Sequence, residues 1–129
     1  MKLTKSLIKA DLIAAGQAIE YYDRKKIKDI KNIAAYHLQQ AAEKLIKYQI
    51  YLGINNTNNK KMLTHDLSKL IEYAEAEGLA IFVPDYIRDH ANRISDWEAG
   101  SRYDIGFSIR IDTLKTTFDV VSRWMREVK

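Results

Sequence analysis

The stretch Ile27-Lys-Asp-Ile-Lys-Asn-Ile-Ala-Ala-Tyr-His-Leu-Gln-Gln-Ala-Ala-Glu-Lys-Leu-Ile-Lys-Tyr-Gln-Ile-Tyr-Leu52 decides the fold class. Ile27, Ile30, Ala34, Leu38, Ala41, Leu45, Tyr48 and Leu52 recur at threes and fours without a break, the period of one face of an α-helix. At 1.5 Å per residue, roughly 26 residues form a rod of about 39 Å. Gly53 is the expected stop, because glycine readily takes the left-handed conformation past a helix end. Inside the rod, His37, Gln39, Gln40, Glu43 and Lys44 crowd the flanks of the apolar stripe. A helix that only packs does not need a histidine, two amides and an ion pair beside its core face. Those groups either tie the helices together or line a site.

Outward from this rod the same period repeats. Ile8, Leu12, Ala15, Ile19 and Tyr22 mark a first helix over Thr4–Tyr22, and Leu3, Leu7, Ala10 and Ala14 widen its apolar face enough to touch two neighbours. Residues 55–61 are polar and read as a mobile, exposed loop. Thr64 reads as the cap of a third helix, with Asp66 complementing the positive end of its dipole and Gly78 ending it. Residues 79–83 are an apolar run of strand length, but no other segment offers a strand to pair with it, so it reads as a buried connection. Pro84 opens a fourth helix that ends near Gly100. Phe107, Ile111, Leu114, Phe118, Val121, Met125 and Val128 mark a last helix, with Arg123, Arg126 and Lys129 at its negative end. Amphipathic helices joined by short connections imply an all-α protein, here an antiparallel up-and-down four-helix bundle with a fifth shorter helix, forming a single domain over residues 1–129.

Composition narrows the chemistry. The chain has 129 residues, enough to bury a core without staples. It has no cysteine, which rules out disulfides and thiolate metal sites. Charged residues interrupt residues 1–20, so neither a signal peptide nor a span is expected, and the reading is a cytoplasmic protein without a membrane partner. The sequon Asn55-Asn56-Thr57 is then a coincidence. A formal net charge of +4 is compatible with an anionic partner. Its densest part is Arg24, Lys25, Lys26, Lys28 and Lys31 at the turn into the long helix. Such a cluster can meet phosphates, although Asp23 and Asp29 dilute it and a solvated face is the ordinary use of a charge run.

Catalytic and metal motifs are missing. His37, His65 and His90 lie on separate elements, so no pair has the i, i+4 spacing of a helical zinc site, and no metal is expected. There is no phosphate-binding glycine loop and no serine in an elbow context, and no cofactor is expected.

Three segments taken in order, Ala35-Tyr-His-Leu-Gln-Gln-Ala-Ala-Glu-Lys44, Thr64-His-Asp-Leu67 and Ser101-Arg-Tyr-Asp104, resemble the motifs of the HEPN domain family. The resemblance covers nearly the whole chain. It implies a helical bundle that commonly dimerises. Many bacterial members accompany a small nucleotidyltransferase encoded as a neighbour, in toxin–antitoxin-like pairs. Some members cut RNA, and others bind nucleotides. The cutting members carry an Arg-x4–6-His pair at the last helix, with His as acid or base and Arg on the phosphate. Here no histidine follows Arg88, Arg93, Arg102 or Arg110 at that distance.

The expected function is therefore a non-catalytic HEPN-type module: a homodimer, a partner of a minimal nucleotidyltransferase, or both, with nucleotide or RNA as ligand. The candidate ligand-binding residues are His37, Gln40, Lys44, His65, Asp66, Arg102 and Tyr103. His37, Gln40 and Lys44 share one ridge of the long helix. Lys44 suits a phosphate and Gln40 a base or ribose. His65 and Asp66 stand at a helix start, where free N–H groups favour an anion. Arg102 suits a phosphate and Tyr103 a base. The same residues can instead satisfy one another, Glu43 with Arg102 and His65 with Gln39. Two competing readings are a divergent ribonuclease using His65 or His90 with Arg88, Arg93 or Arg102, and a purely structural dimerisation domain.

Overall fold

A computed structural model describes residues 3–54, 60–103 and 107–128, except for the side chains of Arg102 and Tyr103. Among the described residues it is all helical: α1 (Lys5–Lys25), α2 (Ile30–Gly53), a 3-10 turn (Lys60–Leu63), α3 (Leu67–Ala76), α4 (Asp85–Asp89), α5 (Ala91–Tyr103) and α6 (Ile111–Glu127). The long rod is α2. It packs against α1, α3, α5 and α6, so it is the element around which the others are placed. Of its expected stripe, Ala34, Leu38, Ala41 and Leu45 are fully buried, as is Ile46 beside them, whereas Ile27 and Leu52 at the two ends are exposed.

The helix ends follow from local chemistry. Thr4 caps α1, its hydroxyl accepting from the Leu7 N–H at 3.4 Å. At the other end Lys26 takes the left-handed conformation (φ 55°) and its N–H bonds the Tyr22 carbonyl. Past α3, Gly78 sits at φ 70°. The Leu79 N–H reaches the Ala74 carbonyl at 2.9 Å and the Gly78 N–H reaches that of Glu75 at 3.0 Å. Those two bonds make a Schellman end, as Gly78 suggested. Gly53 behaves otherwise. It is the last helical residue, and Ile54 leaves the helix in an extended conformation. A Cβ on Gly53 would stand 2.7 Å from a Leu79 methyl, so this glycine serves close packing, not a left-handed turn.

Three other expectations are corrected. Thr64 is not the cap of α3. The helix begins at Leu67 and Asp66 caps it. The helix opened by Pro84 breaks at His90, and its second part, α5, runs past Gly100 to Tyr103. Phe107 precedes α6, whose first residue is Ile111. The most buried row of α6 is Leu114, Thr117, Val121 and Trp124, one position off the Phe118–Met125 line. Residues 79–83 connect α3 to α4 without a strand. Gln49 holds this segment with its side-chain amide, accepting from the Phe82 N–H at 2.7 Å and donating to the Phe82 carbonyl at 2.9 Å. The buried Trp124 indole donates to the same carbonyl at 2.9 Å. Only part of the segment is buried: Val83 is inside, while Ala80 and Phe82 are exposed.

The loop at 55–59, with its sequon, lies outside the described residues, as do Asp104 and Lys129. No described helix is long and apolar enough to cross a membrane.

Candidate functional site

Three ionisable or amide side chains lie in the core beside the α2 stripe: Asp11, Gln39 and Glu43. Burying such groups is costly unless each finds hydrogen-bond partners. Two clusters supply them.

The first cluster joins α1 to α2. Asp11 projects from the apolar row of Ile8, Leu12 and Ala15. One of its oxygens accepts from His37 Nδ1 at 2.8 Å, and the other accepts from Lys44 Nζ at 2.6 Å. His37 and Lys44 are two turns apart on one side of α2, and the carboxylate bridges them. A carboxylate only accepts, so His37 Nδ1 is the donor in this bond.

The second cluster joins α2 to the start of α3. Glu43 Oε1 accepts from Gln39 Nε2 at 3.0 Å and from His65 Nδ1 at 2.8 Å, and Oε2 accepts from Lys47 Nζ at 3.0 Å. Gln39 Nε2 also donates to the His65 carbonyl at 3.1 Å. The His65 segment is thus tied to α2 through both ring and backbone. The His65 side chain is 55% exposed, and its Nε2 lies 4.0 Å from Glu98 of α5. Gln40 extends this second cluster by donating to Gln39 Oε1 at 2.8 Å. Among the described residues every buried side-chain nitrogen and oxygen has a partner.

The seven candidates divide as follows. His37 and Lys44 come together on Asp11. Gln40 and His65 belong to the Gln39–Glu43 cluster. Asp66 caps α3: its Oδ1 accepts from the Lys69 N–H at 3.3 Å, while the Thr64 hydroxyl accepts from the Asp66 N–H at 3.0 Å. Asp66→Ala should lower stability by about 1 kcal/mol, the usual cost of losing a side-chain cap, read as a fall in the midpoint of urea unfolding. Arg102 and Tyr103 are the last two residues of α5, and their side chains lie outside the described residues. The pairing expected between His65 and Gln39 is present through the His65 carbonyl.

Sequence reasoning missed Asp11, the centre of the first cluster, and gave Glu43, the centre of the second, no place among the candidates. A signal for Asp11 existed. It is a carboxylate set into an otherwise apolar helix face, and such a residue is rarely buried unless paired. Its partners lie 26 and 33 positions away, which periodicity cannot see.

His90 sits at the break between α4 and α5. Its Nδ1 bonds the Tyr86 carbonyl at 2.8 Å and its ring stacks on Tyr86 at 4.2 Å. Arg88 pairs with Glu75 at 2.9 Å.

A cleft of about 300 Å³ opens beside the first cluster, between the start of α2 and the end of α5. Asp29, Asn32, Ile33, Tyr36, His37 and Ser101 line it. His37 is thus both a member of the buried cluster and part of a ligand-sized concavity.

No curated protein and no solved structure matches the chain. A family model described as "HEPN domain" matches residues 9–129. That span contains both polar clusters and every motif residue, and so the chain belongs to the HEPN domain family.

Proposed function

We propose that this HEPN domain acts as a non-catalytic interaction module. It works as a homodimer or as partner of a minimal nucleotidyltransferase in a toxin–antitoxin-like pair, with nucleotide or RNA as its ligand. The observation that carries this reading is the mutual satisfaction of the motif side chains. His37 and Lys44 are spent on Asp11, and Gln39, Lys47 and His65 on Glu43. Groups so engaged hold the helices together and shape the surface they present. The missing Arg-x4–6-His pair agrees with this. The framework is an up-and-down arrangement of α1, α2, α5 and α6 in one domain, with α3 closing a side. Two contacts support it: Lys5 of α1 bonds the Val128 carbonyl beyond α6, and Asp23 near the end of α1 pairs with Lys115 near the start of α6 at 2.9 Å. Those two helices therefore run antiparallel.

The test is a titration of the purified protein with nucleotides and RNA, alone and with the neighbouring nucleotidyltransferase, combined with its oligomeric state by light scattering. Binding without cleavage, by a dimer or a heterocomplex, is the expected result. A monomer that binds nothing in any combination would sink the reading.

One observation favours the ribonuclease alternative. His65 is half exposed with its Nδ1 held by a buried carboxylate, the arrangement that orients a general base. The two readings separate on one variant. RNA cleavage that is present in the wild type and lost in His65→Ala, with the fold intact by circular dichroism, would establish the enzyme.

A further inference from the structure

Two apolar rows run along α1, and the bundle covers only one of them. Ile8, Leu12, Ala15 and Ile19 are buried. The second row, Leu3, Leu7, Ala10 and Ala14, is wide enough for another neighbour, yet α1 packs mainly against α2 and α6. Leu7 is 38% exposed there, and Ala10 is exposed as well. On the same side Ile13 is 51% and Tyr21 37% exposed. With 3.6 residues per turn, Leu7, Ala10, Ile13, Ala14, Gln17 and Tyr21 fall within an arc of about 120°. The start of α2 continues this surface. Ile33, 48% exposed, lies one turn before His37, which bonds Asp11 of α1. Large apolar side chains exposed singly need no explanation, but four gathered along one helix seam mark a contact surface.

The order of residues on this face selects its occupant, because it matches itself when reversed. From a point between Ile13 and Ala14, Ala10 and Gln17 lie about 5 Å to either side, and Leu7 and Tyr21 about 10 and 11 Å. An antiparallel copy of α1 therefore sets Ala10 against the partner's Gln17 and Leu7 against the partner's Tyr21. Charge follows the same register. Lys9 and Glu20 flank Ile13 on one side of the arc, about 7 Å before and 10 Å after the same point. In an antiparallel pair about a two-fold axis, like flanks meet, so each Lys9 comes to the partner's Glu20, twice in the dimer. Among the described residues neither forms an ion pair within the chain. A parallel copy would instead set Lys9 on Lys9 and Glu20 on Glu20.

We propose that a second copy of this chain docks on the open face of α1, the two α1 helices running antiparallel about a two-fold axis between Ile13 and Ala14, with Ile33 of each copy at the rim. Such an interface is isologous and closes on itself, so assembly stops at two. Small residues near the axis, Ala10 and Ala14, let the helices approach closely. The proposal rests on the homodimer arm of the function above and gives that arm its surface.

The experiment is cross-linking of the full chain together with its dimer Kd from sedimentation equilibrium. The chain has no cysteine, so introduced ones report alone. A disulfide needs Cα atoms within about 7 Å. Ala10→Cys mixed with Gln17→Cys should give a disulfide-linked dimer under mild oxidation. Either variant alone should not, since its two copies stand about 10 Å apart along the pair. Lys9→Glu turns two exposed pairs from attraction to repulsion and should raise the dimer Kd about tenfold. Lys9→Glu with Glu20→Lys should restore it. All four positions are exposed, so the fold is expected to hold, and circular dichroism checks it. A wild-type dimer that gives no mixed cross-link and keeps its Kd in Lys9→Glu overturns this interface and leaves the homodimer reading standing. Cross-linking of Ala10→Cys with itself overturns the antiparallel register. A wild type that is monomeric at every concentration overturns the inference, while titration with the nucleotidyltransferase still decides the partner arm of the function.

Discussion

Replacing Glu43 with alanine should lower the free energy of unfolding by about 3 kcal/mol, the low end of what breaking a buried charged cluster costs. The Glu43 side chain is only 6% exposed and its two oxygens receive three donors. Removing them strands Lys47 Nζ on a side chain that is itself 15% exposed. Water has little room to replace the lost acceptor, and so the full desolvation cost of the ammonium is felt. Two partners soften the loss. Gln39 keeps its bond to the His65 carbonyl, and the half-exposed His65 ring can turn to solvent. Without these the higher end of the range would apply. Glu43→Gln should cost less than the alanine change, since one oxygen still accepts; its amide nitrogen, however, must face a donor. The check is urea unfolding with the same m-value in all variants, so that a shift in midpoint reports stability alone. A loss below about 1 kcal/mol for the alanine variant would place Glu43 among the weak, solvent-screened pairs.

The helices of this chain were legible because their stabilising face is written locally, at spacings of three and four. What periodicity misread is where such a pattern crosses a break with no breaker. At His90 neither glycine nor proline interrupts Asp89-His-Ala91, so the stripe of Ile87, Ala91 and Ile94 reads as one helix. The backbone nevertheless turns there, with His90 at φ −113°. Phe107 shows the opposite error. Its apolar character extends the α6 stripe on paper, but in the structure it packs from an irregular segment against Gly100, within 3.0 Å of where a Cβ would stand. Gly53 and Gly78 look alike in sequence, and only one takes a positive φ. The difference is the Leu79 side chain lying on Gly53, a contact between residues far apart in the chain.

The candidate site was legible in the same partial way. The motif residues of α2 were correctly singled out as unusual, but periodicity could not say what their polar groups meet. His37, Gln40 and Lys44 do share a ridge, yet that ridge faces an aspartate of another helix and a glutamine of its own. The residues of that motif tie α2 to α1 and to the start of α3 through polar clusters. Such clusters favour one helix register over others, because a shift leaves a buried charge without its partner.

Asp11→Ala tests that role of the first cluster, and its expected cost is smaller, about 2 kcal/mol. The geometry resembles that at Glu43: one carboxylate, short bonds, a histidine and a lysine. Burial makes the difference. The Asp11 side chain is 10% exposed, but its partners His37 and Lys44 are 28% and 24% exposed. Both can recover hydration when the carboxylate is removed, so the penalty for a stranded partner shrinks. What remains is the loss of two charge-assisted bonds that hold α1 against α2. A double-mutant cycle separates these contributions. Asp11→Ala and Lys44→Met each remove the ion pair, so their combination should cost less than the sum of the single changes, by about 1 kcal/mol. A cycle of Asp11→Ala with Glu43→Ala measures whether the two clusters, both carried by α2, are coupled. Additive losses would mean that the two clusters are independent. A coupling of about 0.5 kcal/mol or more would make them one network. In that case a ligand in the cleft beside His37 has a physical route to the His65 end of the helix.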